Sequence, residues 1–312
     1  MLFWVNIKMN INNGLVFLDK EKGKTCRQID NEMMKLFNCR HVGHLGTLDP
    51  FATGLLIIGV GEGTKLLSIF EESSKTYQAV LKLGIKTDTA DYTGNIIRKD
   101  ENVIMPCLNE INNLFTSLLG NSYQVPPKYS AKKINGVPAY KLAHKNIDVD
   151  LKPQLISISS ITINSIDEKE KTIDFSCTVS KGTYIRTLGE TIAEKLNTCG
   201  HLKELRRTHI NNISINSNFI SCKDDIKLVP LLECFDIMNI KTVALNERFV
   251  GQQLIKDIED DCFIAVDINK KPLAIYMRNN DRIFSFCTRF KITIVKVKRG
   301  FANDWANKEF YR

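Results

Sequence analysis

No apolar stretch in this chain is long enough to cross a bilayer; the longest run, Leu55 to Val60, is broken by Gly59. The opening Met1-Leu2-Phe3-Trp4-Val5 is apolar but short, and Lys8 and Asn10 interrupt it, so it lacks the pattern of a signal peptide. The nine cysteines are odd in number and form no C-x-x-C pair, and at 312 residues the chain is far too long for a disulfide-stapled miniprotein. Reduced thiols and a cytoplasmic location are the expectation. Internal repeats, low-complexity segments and Pro/Gly linkers are missing too. Gly59-Val60-Gly61-Glu62-Gly63-Thr64-Lys65 is glycine-rich but has neither the spacing nor the Lys-then-Ser/Thr order of an ATP-binding loop. It leaves a tight turn carrying Lys65 towards a phosphate. Cys39-x-His41-x-x-His44 is the one cluster with metal-ligand character, and no second ligand pair at zinc spacing accompanies it. No metal and no cofactor are expected.

What is present is an ordinary globular composition, 43% hydrophobic and 25% charged, with enough chain for a sizeable core and two domains. Lys and Arg total 43 against 35 Asp and Glu, a formal net charge of +8. The excess is uneven: Lys270 to Arg312 holds eleven Lys/Arg and three Asp/Glu. Such a region suits a polyanion, nucleic acid first, and serves solubility equally well.

Gly14 to Lys20 reads as a strand running into a basic loop, and Thr25 to Phe37 as a helix capped by Thr25 with Ile29, Met33, Leu36 and Phe37 at helical spacing. Leu55 to Val60 suits a buried strand or helix. Strand alternation marks Thr76 to Leu83, Leu155 to Ile166 and Lys171 to Val179; Glu110 to Leu119 and Tyr184 to Leu196 fit helices. Without a regular βαβ rhythm, the class is α+β. Past Ile237 short strands around Val243, Phe263–Val266, Leu273–Met277, Ile283–Cys287 and Ile292–Val297 suggest a small β-barrel.

Chemistry concentrates in two segments. In Gly43-His44-Leu45-Gly46-Thr47-Leu48-Asp49-Pro50-Phe51-Ala52-Thr53-Gly54-Leu55-Leu56 a single carboxylate sits on a stiff turn, where Pro50 fixes its own φ and pushes Asp49 towards an extended conformation. Asp49 is thus an acid aimed at a ligand, the N-cap of a helix opening with Pro50, or both. Ser180-Lys181-Gly182-Thr183-Tyr184-Ile185-Arg186-Thr187 offers a cation, an aromatic and hydroxyls on a turn into a helix. Arg186 could pair bidentately with a carboxylate, Asp49 first, or lie solvated on a surface helix. Leu205-Arg206-Arg207 adds a basic pair. Tyr77 is either a site residue or a core strand aromatic.

The Gly43–Leu56 segment closely resembles the signature of the TruB family of tRNA pseudouridine synthases. Leu18-Asp19-Lys20, Gly59-x-Gly61-x-Gly63-Thr64-Lys65, Lys75-Thr76-Tyr77, Lys86-Thr87-Asp88-Thr89-x-Asp91-x-x-Gly94, Gln124-Val125-Pro126-Pro127-x-Tyr129-Ser130-Ala131, the Ser180–Thr187 segment and Leu205-Arg206-Arg207 follow in family order. The resemblance implies a mainly antiparallel mixed sheet flanked by helices over residues 14–236, a small PUA-like RNA-binding barrel over 237–312, and an extension over 1–13. It implies cofactor-free isomerisation of a T-loop uridine of tRNA, at position 55, after extrusion of the base. Asp49 then matches the catalytic aspartate, Arg186 its partner, and Tyr77 the residue stacking on the base and active in proton transfer. His44 matches a residue holding the opened loop, and Tyr184 and Leu205 line the uracil pocket. Lys20, Lys65, Arg206 and Arg207 would neutralise phosphates. Where the family usually has Asp-Lys-Pro, this chain has Asp19-Lys20-Glu21, which should soften that loop. No membrane and no obligate protein partner are implied, and a monomer is expected. An RNA-folding protein without chemistry is the competing class, and a guide-RNA-dependent relative the milder alternative.

Overall fold

The computed structural model describes residues 13–130, 132–134, 136–139 and 151–238, and strand segments at 241–244, 262–266, 272–279, 282–287 and 292–296. Nearly all of the expected N-terminal extension lies outside the described residues. The first strands are β1 (Gly14–Lys20), β2 (Val42–His44), β3 (Thr53–Val60) and β4 (Lys75–Leu83), followed by a hairpin of β5 (Ile85–Thr87) and β6 (Ile96–Lys99). Next come β7 (Gly120–Gln124), a short hairpin of β8 (Lys133–Ile134) and β9 (Val137–Pro138), and the long pair β10 (Gln154–Asp167) and β11 (Thr172–Val179). The series ends with β12 (Gly200–Ile210), β13 (Ile213–Ser214) and β14 (Val229–Pro230). Helices α1 (Cys26–Leu36), α2 (Leu108–Leu118), α3 (Ile185–Lys195) and α4 (Leu231–Ile237) join them, with a 3-10 segment at Gly61–Phe70.

Ten strands form one sheet in the order β14-β1-β3-β12-β4-β11-β10-β7, with β2 on β3 and β13 on β12. Its ladders are antiparallel except β3–β12, where Thr53 and Gly54 lie beside Arg206 and Arg207 in parallel. The expected mixed, mainly antiparallel sheet with flanking helices is present. The continuous apolar run of β3 follows from burial on both faces. Leu56, Ile58 and Val60 join Ile29 and Met33 of α1 in one core cluster, while Leu55 and Ile57 meet Leu66 and Phe70 of the 3-10 segment in a second. β4 alternates instead, turning Tyr77, Ala79, Leu81 and Leu83 into the core that also takes Leu188 and Ile192 of α3. The start of α1 is as expected: the Thr25 hydroxyl accepts from the Gln28 N–H, and the Gln28 side chain accepts from the Thr25 N–H.

Two features differ from the sequence reading. Pro50 opens no helix: the Ala52 N–H donates to the Asp49 carbonyl at 3.1 Å, closing a turn that leads into β3. Asp49 is therefore not a helix cap. The eleven-residue β12, whose charged residues hide its alternation, stands near the middle of the sheet. Beyond residue 240 the segments β15 (Lys241–Ala244), β16 (Cys262–Val266), β17 (Pro272–Asn279), β18 (Arg282–Cys287) and β19 (Ile292–Lys296) form a separate five-stranded sheet in sequence order. Only β15–β16 is parallel there.

Candidate active site

Asp49 sits on the loop between β2 and β3, strands that pair from Val42 opposite Val60 to His44 opposite Ile58. The loop is braced from beneath by two buried cations. The Lys20 ammonium, 1% exposed, donates to the carbonyls of Ala52 at 2.7 Å, Pro50 at 3.3 Å and Glu21 at 2.9 Å. Arg207, also 1% exposed, donates through Nε to Leu55 at 2.8 Å and through both Nη atoms to Gly46 at 3.1 Å. Gly46 adopts φ +58°, a left-handed conformation that favours glycine, and so turns its carbonyl to this guanidinium. Lys20 and Arg207 thus spend most of their donors on carbonyls of this loop, that of Pro50 also accepting from the Gly23 N–H at 2.7 Å. The expected phosphate contacts for these two are corrected: both lie in the interior.

Arg186 enters at the first turn of α3 and is buried. Its Nε donates to Asp49 Oδ2 at 2.8 Å and its Nη2 to Asp49 Oδ1 at 3.0 Å. Two of its three remaining donors meet the carbonyls of Thr89 at 2.9 Å and Tyr129 at 2.8 Å. The bidentate pair fixes the plane of the carboxylate and leaves each oxygen a second lone pair. Burial pushes the Asp49 carboxyl above the usual carboxylate range; Arg186 pulls it back, Asp91 adds to the rise and Lys20 opposes it. Asp91 Oδ2 lies 4.0 Å from Arg186 Nη1, and its Oδ1 accepts from the Thr93 N–H at 2.9 Å.

A cleft of about 410 Å³, adequate for a nucleoside, opens over Asp49 and is bordered by Tyr77, Tyr184, Leu205 and Lys75. Tyr77 and Leu205 come from the adjacent strands β4 and β12, and Tyr184 immediately precedes α3. The Tyr184 main chain is clamped by Gln124, whose amide donates to the Tyr184 carbonyl at 3.1 Å and accepts from its N–H at 2.8 Å. Burial raises the Tyr184 phenol, with Ser130 and Arg186 acting against it. Burial likewise lowers the Lys75 ammonium to about 8, with Arg207 adding to the fall. On the other side of Asp49 a wider groove carries His44, Arg27 and Thr47.

Five of the expected residues, Asp49, Arg186, Tyr77, Tyr184 and Leu205, therefore converge on one cleft, and His44 stands on the adjoining groove. Lys65 pairs with Glu62 on the 3-10 segment, and Arg206 holds Asp19 through bonds of 3.0 and 2.7 Å. Sequence reasoning missed the carbonyls of Thr89 and Tyr129, which leave no side-chain signal, although both lie in motifs already noted. Among the described residues no group of three His, Cys, Asp or Glu side chains could hold a metal, and no helix is long and apolar enough to cross a membrane.

Residues 34–185 match the model described as "TruB family pseudouridylate synthase (N terminal domain)". A protein of Mycoplasma mobile named tRNA pseudouridine synthase B is 40% identical over 81% of this chain and 86% of its own length. A Borrelia garinii protein of the same name is 32% identical over 88% of this chain and 94% of its own. A Geotalea uraniireducens protein of that name is 41% identical, with this chain spanning 65% of its length. Among solved structures, a chain of a Cbf5-Nop10-Gar1 complex has a TM-score of 0.62 at 19% identity, covering 86% of this chain and 79% of that one. That likeness is one of fold.

Proposed function

The chain belongs to the TruB family of pseudouridine synthases, and from that premise we propose that it isomerises a T-loop uridine of tRNA, at position 55, in the cleft over Asp49. The observation that carries this reading is the bidentate Asp49–Arg186 pair at the floor of a nucleoside-sized cleft. The reaction is an isomerisation: the C1′–N1 bond breaks, the base turns, C1′ bonds to C5, and the proton leaving C5 is balanced by one gained at N1. Positive charge grows on the sugar as C1′–N1 lengthens, and an oriented carboxylate lining the cleft stabilises it. Arg186 keeps that carboxylate ionised against the burial that favours its protonated form. Tyr77 stacks on the uracil and takes part in proton transfer, while Tyr184 and Leu205 enclose the base.

A uridine stacked inside a folded loop must be extruded to reach Asp49, and His44 on the adjoining groove helps hold the opened loop. Arg206 and Lys65 are the phosphate-contact candidates that reach the surface. The domain boundary lies near residue 237, and the five-stranded C-terminal sheet belongs to a PUA-like RNA-binding unit. The protein acts as a cytoplasmic monomer. The test is pseudouridine detection on an unmodified tRNA transcript incubated with purified protein and no added cofactor. A primer-extension stop at the T-loop uridine, lost with Asp49→Asn while tRNA binding persists, is the expected result. Product formed by Asp49→Asn would overturn the catalytic assignment, and tight binding without product from the wild type would favour the RNA-folding reading.

A further inference from the structure

Helix α1 presents Cys26, Ile29 and Met33 to the core, and the fourth buried position on that helix is a carboxylate, Asp30, 2% exposed. A carboxylate at such a place is costly unless hydrogen-bonded. Its partner is His44 at the end of β2: Nδ1 lies 3.0 Å from Oδ1 and 2.9 Å from Oδ2. Arg27 approaches Oδ2 only to 3.8 Å, from a side chain that is 69% exposed. The opposite ring nitrogen, Nε2, is 3.4 Å from the Thr47 hydroxyl on the catalytic loop, two residues before Asp49. Buried helix carboxylate, histidine and loop are thus joined in one line.

We propose that Asp30 is a positioning residue: as the buried acceptor of the His44 Nδ1–H, it fixes the tautomer and plane of that ring so that only Nε2 is offered to RNA in the groove beside Asp49. An ionised carboxylate has no proton to donate, so the proton in this bond belongs to Nδ1. Nε2 then carries a lone pair in the neutral ring. A ring held by its far edge has already lost the rotamer freedom that RNA binding would otherwise have to remove. The inference rests on the reading of His44 as an RNA contact. It adds a residue to which neither the motifs nor the resemblance assigns a role.

The experiment is made on the full chain with Asp30→Asn, Asp30→Leu, His44→Ala and the Asp30→Asn/His44→Ala double variant. Nitrogen-15 spectra of histidine-labelled protein, assigned by loss of the His44→Ala signal, should show a Nδ1–H, Nε2-lone-pair ring in the wild type. In Asp30→Leu that signature should be lost, while the variant stays folded because leucine suits the apolar face of α1. Asp30→Asn, whose amide can present its NH2 as well as its oxygen to Nδ1 and so no longer fixes one tautomer, should weaken tRNA affinity and kcat/KM by about tenfold, and by nothing further once His44 is alanine. A short RNA with its target uridine already in a single strand should lose less than folded tRNA. An unchanged His44 tautomer, or equal losses with and without His44, would overturn the proposal. Tautomer and affinity are read without turnover, so an inactive wild type would sink the isomerase reading while these two measurements still decide the role of Asp30.

Discussion

In the proposed mechanism Asp49 acts as an anion, and burial holds its carboxyl above the ordinary aspartate value of about 4. Activity should therefore fall on the acid side with a midpoint above that value, because protonation removes the active form. Arg186→Gln takes away the largest influence opposing burial, so its acid midpoint should move further up; pH profiles of kcat/KM at constant ionic strength check this. An unchanged midpoint would separate Arg186 from the charge state of Asp49. At this scale the pair itself was legible, since a lone carboxylate on a rigid turn and an arginine at a helix start invite each other. Lys20 and Arg207 were not. Lysine and arginine are almost never fully buried, and what draws these two inside is a row of main-chain carbonyls from Gly46 to Leu55 that leaves no trace in side-chain types. The Asp30–His44 bond was hidden for a similar reason: a carboxylate on a helix reads as solvated until the fold shows which face it occupies.

Among the elements, the parallel contact of β3 with β12 does most to locate the site. There Gly54, at φ +102°, passes so close to Arg207 that a Cβ would lie 2.3 Å from its carbonyl oxygen. Gly54→Ala should therefore destabilise the protein by about 3 kcal/mol, combining backbone strain with overpacking. It should also loosen the Asp49 loop through Arg207, and urea midpoints together with kcat report both effects. A stability within error of the wild type would mean that this crossing relaxes at little cost. Strand β1 and helix α1 were readable from their apolar patterns, whereas the continuous run of β3, buried on both faces, fits a strand or a helix alike. β12 was unreadable because Lys203, Glu204, Arg206 and Arg207 interrupt its alternation, two of them for reasons of the site rather than of the strand. The sequence left the turn at Pro50 open between an aimed acid and a helix start because Asp-Pro serves both.

For the molecule as a whole, charge and chemistry occupy different parts of the chain. The ten-stranded sheet carries the cleft, while Lys270 to Arg312 carries a basic excess. If that stretch grips RNA, replacing Lys296, Lys298 and Arg299 by glutamine should reduce the slope of log Kd for tRNA against log salt by about 2 to 3, with kcat little changed. An unchanged slope would remove the stretch from the RNA interface. The order of the sheet has a last consequence, in time rather than space. Asp49 is synthesised 137 residues before Arg186, and the strand that crosses Gly54 comes later still. At typical elongation rates the carboxylate waits on the order of ten seconds for its counter-ion. A nascent chain, surrounded by tRNA at the ribosome where it is made, cannot assemble the proposed Asp49–Arg186 pair until residue 186 has been translated and freed to fold.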